Sequence, residues 1–404
     1  MNAIELKTKK YYLKAAKIFT EQQVLTQHYL LIENGIITEL TTTPQPNIKI
    51  VNLGELQLMP GMIDLHIHGR EGCDVMDGEL ASIKTISKSL VKYGVIGFLG
   101  TTVTASWSKT LKAFQVLAQA YQEKMPGAQV LGAYNEGLFF SEAYKGAHNE
   151  KYFLPLTKER IDAIYKASNG TLKVMALAPE FDDSVAMIQY LRSLNVKVML
   201  GHTCANYQQT LDALSAGACG GVHIFNAMSG IHHRDPGCAG AVLMDKNALA
   251  EVIADGIHLH PSIMQLIYQL KGQNKMALIS DCISAGGFPD GTYQLGELAV
   301  KVQGGIAKTA SGALAGSTLT LNKSVANIVE MTDISLLEAI NMASLTPAKH
   351  LNIDGKLGSI ALGKQASLAA FDHNLTVQLT IIDGEIVYCQ QELADRLDFR
   401  LAKE

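Results

Sequence analysis

The sequence predicts an α/β protein: a TIM-like (β/α)8 barrel carrying a small β-sandwich domain built from both termini. Three observations predict it. Apolar β-type runs alternate with helix-period segments through the middle of the chain. Eight such units fit into about 290 residues, the scale of one barrel. Short strand-like stretches without helices between them occupy both ends.

The elements follow in order. Near the amino end, "AAKIFT", "HYLLIENGIITEL" and "IKIVNLG" read as short strands. Near the carboxyl end, "GSIALGKQASLAAFD" and "LTVQLTIIDGEIVYC" read the same way, with turns at Leu362-Gly363 and Asp383-Gly384. Residues 1–58 and 358–404 are therefore expected to form one discontinuous β domain around a catalytic barrel at 59–357. The barrel strands are expected in runs 58–65, 95–104, 129–135, 171–178, 196–200, 220–225, 249–254 and 275–280. Helix-period segments lie between most of them, at 79–92, 106–123, 157–168, 182–194, 205–216 and 261–271, and two more follow at 320–331 and 335–349. The Gly-rich stretch 284–317 interrupts after the eighth run and reads as an inserted hairpin or lid.

Bulk properties exclude several classes. The 404 residues are 48% hydrophobic and 18% charged, which fits a well-buried globular protein. With 34 basic and 38 acidic residues the net charge is −4, and no basic stripe suggests nucleic acid. The first residues, "MNAIELKTKKYYLKAAK", lack the apolar core of a signal peptide. The longest uncharged stretch, 213–231, contains His223, Asn226 and four Gly, so no membrane span is expected. Six Cys (73, 204, 219, 238, 282 and 389) without a Cys-x-x-Cys fit free thiols in a reducing cytoplasm.

The chemistry lies at the strand ends, where a barrel of this kind places its active site. The first run ends in "HIHG", with His66 and His68 two residues apart and so on one face of an extended chain. Twelve His in 404 residues give roughly 0.35 such pairs by chance, so the pair needs partners. They are present: Glu136 after the third run, His202 after the fifth, His223 and Asn226 in the sixth, Asp255 and His258 after the seventh, and Asp281 after the eighth. Six of eight strand ends thus deliver imidazoles or carboxylates into one ring. Imidazoles with a carboxylate are a usual ligand set for Zn2+ or Fe2+, and an aspartate beside activated water is a proton acceptor.

Finer motifs identify a resemblance. "PGMIDLHIHG", "NEGLFFSEAYKGAH", "GHTCANYQQTLDALSAGA", "VHIFNAMSGIHHRDPG", "ADGIHLHP", "ISDCISAGG" and "LAGS" together resemble the amidohydrolase superfamily and, within it, the N-acetylglucosamine-6-phosphate deacetylases, over nearly the whole chain. The resemblance implies a metal-dependent hydrolase barrel and removal of the N-acetyl group from a 6-phosphorylated amino sugar. It implies one or two divalent ions, Zn or Fe: Glu136, His202 and His223 match the primary site, and His66 and His68 match a second-site pair. Asp281 matches the general base and acid, and His148 the residue that polarises the carbonyl. Ala147, His148, Asn226, Ala227, Arg234, His258, Leu314, Ala315 and Gly316 match substrate-facing positions, with Arg234 and His258 at the phosphate. A homodimer is implied, with neither nucleic-acid nor membrane partners.

The chain departs from the family pattern at Leu138, where Pro is usual, and at Ser367, where Asp is usual. Other readings remain open at this point. A galactosamine-6-phosphate deacetylase would keep every motif. A cyclic-amide hydrolase would not need the Arg234–His258 pair. A non-catalytic scaffold conflicts with the complete ligand set, and a serine hydrolase with the absence of G-x-S-x-G. His232 and His233 receive no role, and His260 reads as structural.

Overall fold

The computed structural model describes residues 9–397. The outer parts of the expected β domain, residues 1–8 and 398–404, lie outside the described residues. Eight parallel strands form the central sheet: β1 (Met62–Ile67), β2 (Val95–Thr101), β3 (Gln129–Asn135), β4 (Leu172–Leu177), β5 (Lys197–Leu200), β6 (Gly220–Gly221), β7 (Leu249–Ile253) and β8 (Met276–Ile279). Neighbours in sequence are neighbours in the sheet, as βα crossovers dictate. The seam between β8 and β1 closes at the carboxyl end. There Ile67 bridges Cys282, and the Asp281 N–H donates to the His66 carbonyl at 2.9 Å. That closure brings the end of β8 against the end of β1.

Around the strands stand α1 (Leu80–Leu90), α2 (Trp107–Gln122), α3 (Lys158–Ala167), α4 (Ser184–Ser193), α5 (Tyr207–Ala216), α6 (Gly237–Met244), α7 (Pro261–Lys271) and α8 (Leu321–Met331). Several begin on the caps their sequences offer. Thr157 accepts from the N–H of Arg160 for α3, and Asn206 with Gln209 makes a capping box for α5. His260, read as structural, accepts from the N–H of Ser262 and so caps α7.

Four sequence expectations are corrected. The run 58–65 is two strands: Gln57–Pro60 joins the terminal sheet, and Met62–Ile67 enters the barrel. Gly61 separates them, and a Cβ there would lie 2.3 Å from Ile96, so the crossing admits no side chain. The segment 335–349 is two helices, α9 (Leu336–Ala343) and α10 (Leu345–His350), broken at Ser344. The insert after β8 is a three-stranded antiparallel meander (Gly291–Leu295, Leu298–Gln303, Ile306–Thr309) rather than a hairpin. Finally, α6 escapes periodicity because "GCAGAVLM" is apolar on every side, with seven of its residues buried.

The terminal strands form two sheets. One holds Ile36–Thr41, Tyr29–Glu33, Lys10–Lys14 and Ile50–Asn52; the other joins Glu385–Cys389, Val377–Ile382 and Leu368–Phe371 to Gln57–Pro60, Lys17–Phe19 and Val24–Leu25 through the antiparallel pairing of Leu368–Phe371 with Gln57–Pro60. Their inner faces share a core of Leu13, Ile32 and Ile37 against Ile18, Leu368 and Ile381. The Tyr11 hydroxyl donates to the Gly384 carbonyl at 2.8 Å and ties the two ends of the chain together.

Candidate active site and metal centre

Strand alternation places Asp64, His66 and His68 on the barrel-facing side of β1. Glu136 follows β3, His202 follows β5, His223 follows β6 and Asp281 follows β8. The last three take left-handed backbone, φ 50°, 25° and 48°, which turns the chain sharply as it leaves each strand. Such conformations cost non-glycine residues on the order of 1–3 kcal/mol each and persist where surrounding structure enforces them.

The side chains meet. Glu136 Oε1 lies 3.0 Å from His223 Nε2 and 3.2 Å from His202 Nε2. Its Oε2 lies 3.1 Å from His68 Nε2 and 3.5 Å from His66 Nε2. Asp281 Oδ1 lies 3.2 and 3.4 Å from the same two nitrogens. All six residues are buried.

The outer nitrogens of the four imidazoles tell which lone pairs are free. His66 Nδ1 meets Glu251 Oε2 at 3.3 Å, His68 Nδ1 the Thr101 carbonyl at 3.3 Å, His202 Nδ1 the Tyr144 carbonyl at 3.0 Å, and His223 Nδ1 the Asn226 carbonyl at 3.2 Å. Each partner only accepts, so each Nδ1 carries a proton, and in the neutral ring each Nε2 presents a lone pair to the centre. Four inward lone pairs and two carboxylates are a donor set that fits a divalent cation. His66, His68 and Asp281 form one such cluster, and Glu136, His148 and His202 another, with donor atoms within 4.8 Å of one another in each.

The electrostatics agree. Burial works against charge on Glu136, yet His66 and the other imidazoles hold its pKa well below the ordinary carboxylate value. Asp281 is lowered too, against burial, by His68 and His66. Burial works against protonation of His68, but Asp281 and Glu136 outweigh it and push the ring up to about 9. The carboxylates thus demand a positive charge between them, which a divalent ion would supply while leaving the rings neutral.

Above this floor opens a cavity of about 370 Å³, lined by His68, Glu136, His202, His223 and Asp281 together with Ala147, His148, Asn226, Ala227, His258, Leu314 and Gly316. His258 donates through Nδ1 to Asp255 Oδ2 at 2.7 Å, which fixes the ring in the wall of the cavity. The meander contributes Leu295 to the wall and the segment after it Ala313, Leu314 and Gly316, and the Ser317 N–H donates to the Asp281 carbonyl at 2.8 Å.

These features invite comparison with known proteins. The amidohydrolase family profile matches residues 57–387. The chain belongs to the amidohydrolase family. It is 43% identical over 376 residues to an N-acetylgalactosamine-6-phosphate deacetylase of Escherichia coli O157:H7, covering 93% of this chain and 99% of that one. It is 42% identical over 357 residues to the N-acetylglucosamine-6-phosphate deacetylase of Vibrio furnissii, covering 88% and 89%. Among solved structures, a mutant N-acetyl-D-glucosamine-6-phosphate deacetylase of Mycobacterium smegmatis in complex with N-acetyl-D-glucosamine-6-phosphate superposes with a TM-score of 0.89 at 30% identity, over 94% of this chain and 99% of that one.

Within this amidohydrolase, which is a metal-dependent hydrolase, two expected substrate-facing residues stand apart from the cavity. Ala315 is fully buried, and its N–H donates to the Ala307 carbonyl at 3.1 Å, so the turn at Leu314 and Gly316 makes the wall without it. Arg234 is exposed on the loop after His232, with Nη1 2.5 Å from His233 Nε2, and it does not line the cavity of its own chain. Sequence reasoning missed Glu251 and Asp64. Glu251 orients His66. Asp64 accepts from the N–H groups of His66 and Ser280, and burial pushes its pKa up to about 6. Their signal was an acid inside an apolar strand, "LAEVI" and "MIDLHI". Glu180, also missed, accepts from the Thr203 hydroxyl and the Cys204 N–H and fixes the turn beyond His202.

Proposed function

We propose that this amidohydrolase removes the N-acetyl group of N-acetyl-D-glucosamine 6-phosphate, giving D-glucosamine 6-phosphate and acetate in amino-sugar catabolism. The observation that carries the proposal is the convergence of four imidazole lone pairs and Glu136 beside Asp281 at the floor of one cavity. Glu136, His202 and His223 would hold the indispensable ion, Zn2+ or Fe2+, and His66 and His68 a second, weaker one. When bound, such an ion supplies Lewis acidity at the amide carbonyl and brings the pKa of water from 15.7 down to about 7. Asp281 orients the attacking water, accepts its proton at the carboxylate and passes it to the departing nitrogen. His148 faces the amide carbonyl oxygen, and Asn226 and the Leu314–Gly316 turn face the sugar. His258, as an imidazolium balanced by Asp255, and the backbone at Ala227 receive the phosphate.

Arg234 reaches that phosphate from a second copy of the chain, which makes the working unit a homodimer. Its planar fork suits two phosphate oxygens at once. We place the enzyme in the cytoplasm because its six cysteines are unpaired. No helix among the described residues is long and apolar enough to cross a membrane.

A second reading has a specific support: the relative at 43% identity acts on the galactosamine epimer. Acetate release from N-acetylglucosamine 6-phosphate, its galactosamine epimer and unphosphorylated N-acetylglucosamine tests both. The proposal expects the highest kcat/KM on the first and the lowest on the third. A higher value on the epimer would move the assignment to it, and equal values with and without phosphate would remove the phosphate site.

A further inference from the structure

His148 lies among the candidate ligands, with Nε2 3.6 Å from Glu136 Oε2, yet its outer nitrogen is partnered unlike the other four. The backbone N–H of Thr104 points at His148 Nδ1, at 3.3 Å. A backbone N–H can only donate, so Nδ1 is the accepting nitrogen of this ring. The Thr104 hydroxyl lies 2.7 Å from the same Nδ1 and itself accepts from the Leu138 N–H at 3.1 Å. Because Nδ1 already accepts from that N–H and carries no proton of its own, the hydroxyl's hydrogen is the one directed at Nδ1. A ring whose Nδ1 accepts carries its proton on Nε2, facing the cavity.

We infer that Thr104 is a positioning residue that fixes His148 as the Nε2–H tautomer, making it a hydrogen-bond donor to the substrate carbonyl and excluding it from metal coordination. The inference rests on the reading that His148 faces that carbonyl. The same five-membered ring thus serves two purposes in one site, sorted by what stands behind it. Acceptors behind His66, His68, His202 and His223 turn their lone pairs inward, and a donor pair behind His148 turns a proton inward.

The loop after β3 is shaped around this contact. Gly137 takes φ +134°, and a Cβ there would lie 2.7 Å from both the nitrogen and the hydroxyl of Thr104. Leu138 takes φ +73° and spends its N–H on the hydroxyl. Proline at 138 could do neither, since its ring fixes φ near −65° and it has no N–H. The departure at Leu138 noted in the sequence is therefore part of the device that holds Thr104.

The test is nitrogen-15 NMR of imidazole-labelled, zinc-loaded protein, with the His148 signals assigned by their loss in His148→Asn. The inference expects an unprotonated Nδ1 and a protonated Nε2 on His148 in the wild type. Thr104→Val removes the 2.7 Å hydroxyl bond and leaves only the longer 3.3 Å backbone bond, so it should mix the tautomers and lower kcat about tenfold, the worth of one neutral hydrogen bond, with KM within about twofold and metal content unchanged. Thr104→Ser should restore both the spectrum and kcat. A protonated Nδ1 on wild-type His148 overturns the inference even if Thr104→Val fails to fold. So does loss of metal from His148→Asn, or a Thr104→Val enzyme with wild-type kcat. Undiminished kcat in His148→Asn would instead refute the carbonyl role of His148, leaving the spectrum to judge the tautomer by itself.

Discussion

Asp281→Asn separates proton transfer from everything else Asp281 does. The substitution keeps size and polarity but removes the basic oxygen. The backbone should survive it, because residue 281 sits at φ +48° and Asn tolerates left-handed conformations better than most residues. Both backbone bonds that fix the turn, Asp281 N–H to the His66 carbonyl and Ser317 N–H to the Asp281 carbonyl, are independent of the side chain. What changes is confined to Oδ1, 3.2 and 3.4 Å from His68 and His66. A positioned proton carrier contributes on the order of 10² to 10⁴ in rate, about 3–5 kcal/mol of barrier. The expected result is that fall in kcat for acetate release, with substrate still bound by calorimetry and metal content unchanged. Near wild-type kcat at unchanged metal content would refute the assignment of Asp281 as base. Asp281→Ala is the poorer test, since it adds backbone strain at the same φ.

Other predictions address the surroundings. Arg234→Ala should raise KM for the phosphorylated sugar about ten- to a hundredfold and leave the unphosphorylated sugar nearly unchanged; an equal change for both would rule out phosphate reading. Mixed dimers of Arg234→Ala with Asp281→Asn chains should regain part of the activity, and no recovery would confine Arg234 to its own subunit. Glu251→Gln should weaken the metal affinity of the His66 site about 10- to 100-fold, measured by chelator competition, because it removes the charge that orients His66; unchanged affinity would make Glu251 structural only. His350 gives a pH dependence. Its side chain is half-buried with Nε2 shut off from solvent and unpartnered, and burial, then Lys197 and Lys275, push its pKa down to about 3. Below pH 6.5 the unfolded chain takes up a proton that the folded one refuses. The stability present above 6.5 is therefore lost as pH falls toward 3, by at most ~1.4 kcal/mol per unit and less for a ring in partial contact with water. His350→Asn should flatten the drop in urea midpoint between pH 7 and 5, and an equal drop in both proteins would contradict this.

Much of the site was legible because strand ends announce themselves. His66, His68, Glu136, His202, His223 and Asp281 each follow or close an apolar run, and the barrel does the rest. The residues that sort and orient them were not legible. Thr104 acts through its backbone and a common hydroxyl, which leave no pattern in a sequence. Glu251 is one acid in an apolar strand, and only the fold shows that it stands behind His66. In the fold, Lys10–Lys14 was obscured by its charged ends, although Tyr11, Tyr12 and Leu13 between them are buried. The run 58–65 hid a change of sheet because both strands are apolar and only Gly61 marks the crossing.

The central claim is that activity belongs to a metal held by Glu136, His202 and His223 beside Asp281. The most direct measurement is acetate release against metal bound per chain, for wild type and His202→Ala, after chelation and stepwise restoration with zinc or iron. The account predicts no activity without metal, recovery in proportion to the first equivalent in the wild type, and neither metal nor activity in His202→Ala. Full metal retention by His202→Ala, or undiminished hydrolysis by verified metal-free wild type, would contradict it.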